Sequence, residues 1–168
     1  MERFKDPSID TSEEHAALKK ARPSWDEYFM RIAHEVATRS TCPRLAVGAV
    51  VVRDKRILTT GYNGAPAGMP HCDDVGCLLR VVDGRESCQR TLHAEQNAII
   101  QAAYHGVSVR ESVLYCTHQP CLLCTKMIMN AGIEEVRYAG GYPDPLALEL
   151  ASEGGLQMVK FSPGENGD

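Results

Sequence analysis

The order of apolar and polar positions predicts helices and strands in alternation along most of the chain. Trp25, Phe29, Ile32, Ala33 and Val36 recur at helical spacing. Ahead of them, Ser24-Trp25-Asp26-Glu27 forms a capping box with Ser24 as N-cap and Glu27 at N3, so a helix is expected from Ser24 to about Ser40. Its stripe reads as core. Val47–Val52 and Ile57–Thr60 are apolar, largely β-branched runs on either side of the charged turn Arg53-Asp54-Lys55-Arg56, the pattern of a strand hairpin. Gly61 to Gly68 is too rich in Gly and Pro to continue the second strand and reads as a ligand-facing loop. There follow an expected helix from Leu92 to Tyr104, a strand at Val113–Cys116, a helix from Cys121 to Asn130 that stops before Gly132, and a strand at Val136–Ala139. A helix near Pro145–Ala151 and a strand near Met158–Phe161 end the series. This alternation predicts an α/β sandwich around a mixed sheet.

Composition narrows the setting. At 168 residues the chain is long enough for one domain with a sizeable core. Met1–Arg22 is polar, with a short helical pattern beginning at Ser12, and is expected to lie outside that core, mobile or packed on a neighbour; residues 23–168 form the domain. No apolar run approaches the roughly 20 residues needed to span a bilayer. Met1–Asp10 is polar and charged, unlike a secretory signal, so a cytoplasmic protein with no membrane partner is expected. A net charge of −4 disfavours binding of long nucleic acid, which needs a basic patch or stripe. Without export, the seven cysteines are expected to stay reduced, and metal ligation by some of them fits better than disulfides.

The chemistry concentrates in His93-Ala94-Glu95 and Pro120-Cys121-Leu122-Leu123-Cys124. A lone C-x-x-C is often a redox pair, and a lone His-x-Glu is often a solvated helix end. Together they offer three zinc ligands, His93, Cys121 and Cys124, and a carboxylate, Glu95, that the metal does not need. Structural zinc is closed by four protein ligands, whereas catalytic zinc keeps a position open for water or substrate. H-x-E followed by P-C-x-x-C is the signature of zinc deaminases. Pro120 is expected in the first turn of a helix, with Cys121 and Cys124 on one helical face near its amides. His93 and Glu95 lie two residues apart and would point to opposite sides of a regular helix. They are therefore expected to straddle a helix start, and the reaction centre to lie where two helix starts converge.

Further segments carry a family likeness. Trp25-Asp26-Glu27-Tyr28-Phe29-Met30, Arg39-Ser40-Thr41-Cys42-Pro43-Arg44, Val47-Gly48-Ala49, Gly61-Tyr62-Asn63-Gly64, His93-Ala94-Glu95-Gln96-Asn97-Ala98 and Ala131-Gly132-Ile133 together resemble the deoxycytidylate (dCMP) deaminases of the cytidine deaminase superfamily, over about Ser24 to Gly141. The resemblance implies a three-layer α/β/α sandwich with a mixed five-stranded sheet, homo-oligomers that are commonly hexameric, and conversion of dCMP to dUMP and ammonia. It makes His93, Cys121 and Cys124 the zinc ligands and Glu95 the proton shuttle. It also implies substrate contacts from the Ala94 amide, Asn63 and Tyr142, and dCTP and dTTP as effectors acting near Gly61–Gly68. Arg39, Arg44 and Arg90 lie nearest the family motifs as phosphate ligands; Arg44 is the one selected.

Cys42, Cys72, Cys77 and Cys88, with His71 among them, form a second group that catalysis does not require. Some relatives carry an additional structural zinc, at positions that Cys42 and Cys72 match. The four thiolates, or three with His71 instead, are expected to hold such an ion and to clip down the Gly64–Arg90 excursion, which otherwise looks short of regular structure. Cys116, inside a strand, reads as core. The competing readings are another deaminase of the superfamily, acting on a nucleoside, riboflavin precursor or tRNA, and a catalytically silent nucleotide-binding module stabilised by zinc. Glu95 speaks against the silent module, because a structural site has no use for it.

Overall fold

The computed structural model describes residues 22–82, 84–141 and 143–164. The expected N-terminal extension with its helix at Ser12, and Tyr142, lie outside the described residues, except for Arg22. The first helix, α1 (Trp25–Ala37), starts as its sequence predicts: the Glu27 N–H donates to Ser24 Oγ at 3.2 Å, and the Ser24 N–H donates to Glu27 Oε2 at 3.2 Å. It ends about a turn earlier than expected. Strands β1 (Gly48–Arg53) and β2 (Arg56–Tyr62) form the antiparallel hairpin, turned by Asp54 and Lys55 at φ of 51° and 59°. Positive φ at both central residues matches the twist of the flanking strands. Gly61 and Tyr62 belong to β2, so the expected loop begins later than its glycine suggested.

Next come a four-residue helix α2 (Cys72–Val75) and a small antiparallel hairpin of β3 (Leu79–Val82) and β4 (Arg85–Cys88). The Gly64–Arg90 segment is thus more regular than expected. Helix α3 (Ala94–Tyr104), strand β5 (Val113–His118), helix α4 (Leu122–Asn130), strand β6 (Glu135–Gly140), helix α5 (Pro145–Glu153) and strand β7 (Gln157–Lys160) complete the order. The main sheet runs β2-β1-β5-β6-β7, antiparallel on its β2 and β5 sides of β1 and parallel from β5 onward.

Alternation along β1 divides the core into two layers. Val50 and Val52 face Phe29, Met30 and Ala33 of α1, together with Tyr115. Ala49 and Val51 face the other way, among Ala94, Ala98 and Ala102 of α3, Cys124 and Ile128 of α4, and Ala151 of α5. This is the expected three-layer α/β/α sandwich. Asp26 pins α1 to the sheet from the first side, accepting from the Tyr115 hydroxyl at 2.7 Å and from the Arg137 guanidinium. Two glycines set how closely the helices approach. A Cβ on Gly48 would lie 2.1 Å from the Ala33 carbonyl oxygen, and one on Gly61 would lie 2.2 Å from that of Ala94. Both helix backbones therefore rest directly on strand backbone. Among the described residues, no helix is long and apolar enough to cross a membrane.

Candidate active site

The close seat of α3 on β2 fixes where its first residues point. His93 is the N-cap of α3, in extended backbone, and Glu95 is the second residue inside the helix. The pair straddles the helix start as expected, and both reach the same centre. The His93 N–H donates to Gln96 Oε1 at 2.8 Å, closing one of the donors that a helix start leaves unpaired. At the second helix start, Cys121 is the N-cap of α4 and Cys124 lies within its first turn. Pro120 thus precedes the N-cap rather than occupying the first turn. Its lack of an N–H removes no helix hydrogen bond there, and the extended backbone of Cys121 sets its thiol beside His93.

The three donor atoms converge. His93 Nδ1 lies 3.6 Å from Cys121 Sγ and 3.4 Å from Cys124 Sγ. A tetrahedral zinc with bonds of about 2.3 Å to sulfur and about 2.0 Å to nitrogen separates N and S by roughly 3.5 Å, so the spacing fits that ion. In the metal-free protein the Cys124 thiol donates to Cys121, and the neighbouring His93 helps, so the Cys121 pKa falls to about 4; the same hydrogen bond, then burial, pushes Cys124 up. Cys121 is therefore the more readily ionised of the two thiols. His93 is raised, first by its hydrogen bond to Cys121.

Glu95 is 4% exposed and stands apart from the donor triangle. Burial raises its pKa above the ordinary carboxylate range, although its own backbone N–H and the charge of His93 pull the other way. A carboxyl held this way exchanges a proton more readily near neutral pH than a solvated one. Cys116 lies in the core as expected, and burial, then the charge of Glu95, raises its thiol well above its usual value.

The centre opens into a cavity of about 420 Å³ whose wall includes Arg44, Asn63, Ala94, Glu95, His118 and Asp144. Ala94 is fully buried at the first helical position, where its N–H has no intrahelical partner. Asn63 lines the cavity, but its amide is already engaged: Oδ1 accepts the Val47 N–H at 2.8 Å and Nδ2 donates to the Leu45 carbonyl at 2.8 Å. One Nδ2 hydrogen remains for a ligand. Arg44 forms an ion pair with Glu86 of β4 at 3.3 Å. Arg39 is exposed and does not line the cavity, whereas the Nε of Arg90 is buried with no hydrogen-bond partner among the described residues.

Sequence reasoning missed Asp144. Its carboxylate accepts the Leu122 N–H at the start of α4 (3.1 Å) and the Ala147 N–H in the first turn of α5 (3.2 Å). The signal was Asp144-Pro145, an N-cap followed by proline at the first helical position.

The second cysteine group assembles only in part. Sulfurs of Cys72, Cys77 and Cys88 gather within 4.8 Å of one another, with Cys72 and Cys88 at 3.7 Å. That is close to the roughly 3.8 Å expected between two thiolates on tetrahedral zinc. Burial raises Cys88, but the Arg90, Leu78 and Thr91 backbone amides and the Cys72 thiol overcome it and bring its pKa to about 7. Cys72 is pushed up to about 12, first by burial and then by its neighbouring thiols. Neither Cys42 nor His71 has its ligand atom within the same 4.8 Å as this triangle. Cys42 lines the catalytic cavity, and His71 Nδ1 faces Thr41 Oγ1 at 3.2 Å.

A three-donor triangle at two converging helix starts, beside a buried carboxylate that is not a donor, defines the class of zinc-dependent deaminases. Comparison with known proteins agrees. Residues 23–140 match the family model described as the cytidine and deoxycytidylate deaminase zinc-binding region, and the chain belongs to that family. The chain is 50% identical over 138 residues to ComE operon protein 2 of Bacillus subtilis, covering 82% of this chain and 71% of that protein. It is 40% identical over 152 residues to the deoxycytidylate deaminase of Schizosaccharomyces pombe; the match takes in 86% of this chain and spans 46%, about half, of the yeast protein. The crystal structure of dCMP deaminase from the cyanophage S-TIM5 in complex with dCMP and dUMP superposes with a TM-score of 0.71 and 34% identity, covering 84% of this chain and all of that one.

Proposed function

We propose that this chain catalyses the zinc-dependent hydrolytic deamination of dCMP to dUMP and ammonia, with His93, Cys121 and Cys124 as metal ligands. The observation that carries the reading is the donor triangle of zinc dimensions with Glu95 buried beside it. The likeness to a protein seen with dCMP and dUMP supports the choice of substrate. Zinc, when bound, supplies the Lewis acidity that makes water a nucleophile at neutral pH. Glu95 takes a proton from the attacking water and passes it to cytosine N3, which draws electron density from C4 as the new C–O bond forms. Glu95 next takes the proton of the new C4 hydroxyl and delivers it to the exocyclic amine, and the C–N bond breaks with release of ammonia as the C4 carbonyl forms. The Ala94 N–H and the remaining Nδ2 hydrogen of Asn63 are assigned to the pyrimidine, and Arg44 exchanges Glu86 for phosphate; Tyr142 is assigned to the nucleotide as well.

The Cys72, Cys77 and Cys88 triangle is read as a second, structural zinc site with Cys42 as its fourth ligand, since the charge of Cys42 reaches Cys77 whereas His71 is turned to Thr41. A cytoplasmic homo-oligomer answering to dCTP and dTTP belongs to the same reading. Ammonia release from dCMP, CMP, dCTP and deoxycytidine tests the substrate. Preference for anything but dCMP overturns it. Saturation curves for dCMP that stay hyperbolic and unmoved by either triphosphate overturn the effector assignment.

A further inference from the structure

His118 lines the catalytic cavity from the end of β5, and the proposed reaction gives it no role. Leu114 and Cys116 of the same strand face the α3 and α4 layer, and alternation brings His118 out on that face at the strand end. Its neighbour Thr117 is 3% exposed. Thr117 Oγ1 accepts the Gly48 N–H at 3.1 Å and lies 3.0 Å from His118 Nδ1. The buried hydroxyl proton needs an acceptor, and among the described residues Nδ1 is the one within reach. This hydrogen-bond assignment leaves Nδ1 unprotonated, so the ring carries its proton on Nε2. Burial, and then the charge of His34 on α1, lower the pKa of the imidazole and keep it neutral.

Three other polar groups on this wall are paired within the protein, and of these Arg44 is the one the proposed reaction releases toward phosphate. Arg44 is engaged by Glu86, the Gln119 amide donates to the Asp144 carbonyl, and the Asp144 carboxylate takes two helix amides. His118 Nε2–H has no partner among the described residues. With the pyrimidine assigned to Glu95, Ala94 and Asn63, a bound nucleotide offers this wall its sugar hydroxyl and its phosphate. An N–H to an anionic oxygen is about twice as strong as a neutral pair, which favours the phosphate. We propose that His118 is a phosphate ligand of the catalytic cavity, donating Nε2–H in a tautomer fixed by Thr117. The proposal rests on the cavity taking a cytosine nucleotide.

The test reads the ratio of kcat/KM for dCMP to that for deoxycytidine, with calorimetric titration of dUMP in parallel. His118→Ala is expected to lower the ratio about tenfold or more and to weaken dUMP by a similar factor, as loss of one hydrogen bond to a charged group implies. His118→Gln, whose amide carries a donor near the Nε2 position, recovers part of both. Thr117→Val lowers the ratio by a smaller factor and Thr117→Ser restores it. Equal losses on dCMP and deoxycytidine in His118→Ala overturn the phosphate assignment in favour of a sugar contact or a structural role. An unchanged ratio in Thr117→Val overturns the fixed tautomer. Should the wild-type protein deaminate neither compound, the parent reading fails, while the dUMP titration still reads the His118 contact by itself.

Discussion

Two places in this molecule gather cysteine sulfur at zinc dimensions, and they differ in what surrounds the sulfur. Around His93, Cys121 and Cys124 the donors come from the starts of two helices that lie on the central sheet, and a buried carboxylate stands beside them. Around Cys72, Cys77 and Cys88 they come from a four-residue helix, the loop after it and a small hairpin outside that sheet, and the carboxylates next to Cys72, those of Asp73 and Asp74, are exposed. Similar donors therefore do not make similar sites. On the proposed assignment, what separates the catalytic from the structural role is one desolvated Glu and the rigidity of the elements that present it.

The most severe way to break this contrast is to make the first site resemble the second. Glu95→Gln is expected to lower kcat by about 10³-fold or more, toward the upper end of what a general acid–base group contributes, while zinc content stays at the wild-type value. Ammonia release and metal counting on one sample check both halves. The converse change is Cys88→Ser. It should reduce the metal count from two ions per chain to one and lower Tm by roughly 10 °C, a few kcal/mol for a chain of this size, with a far smaller loss of kcat than Glu95→Gln. A kcat loss equal to that of Glu95→Gln would erase the distinction between the two groups.

Gly61→Ala probes rigidity without touching a ligand. The added methyl has no room between β2 and the backbone of α3, so a cost of about 1–3 kcal/mol is expected, read by denaturant titration, together with a fall in kcat as His93 and Glu95 shift. The smallest effect appears in the metal-free protein. Burial raises Glu95, so the folded chain holds that proton more tightly than the unfolded one; the resulting stability is complete below the ordinary value of 4.5 and is lost as pH rises through the raised one. Metal-free Glu95→Gln should therefore melt above metal-free wild type near about pH 8, and the gap should close toward about pH 4.

Much of this arrangement was legible in the chain because local rules and global fold agree. The Ser24 to Glu27 capping box, the apolar runs of β1 and β5, and the impossibility of His93 and Glu95 sharing one helical face each predicted what is found. The β3–β4 hairpin was missed although Val82-Asp83-Gly84-Arg85 carries the Asp-Gly turn signal; its strands are four residues long and mostly exposed, so they lack the apolar alternation that marks a core strand. Cys42 was grouped with the other thiols through the resemblance, and it lines the catalytic cavity together with Cys88 of the triangle. Nor could spacing reveal that Asn63 spends both ends of its amide on the 45–47 backbone, since that depends on a loop folding back over β2.

Asp144 has a wider reach than its place as an N-cap suggests. One carboxylate accepts from the first amide of α4, next to the ligand Cys121, and from the first turn of α5. The two helices are thereby geared together. A swing of α5 away from the sheet must release one of those amides and loosen the spacing of the sulfurs. The C-terminal helix, which contributes no donor, is in this sense part of what sets the spacing of the proposed metal site.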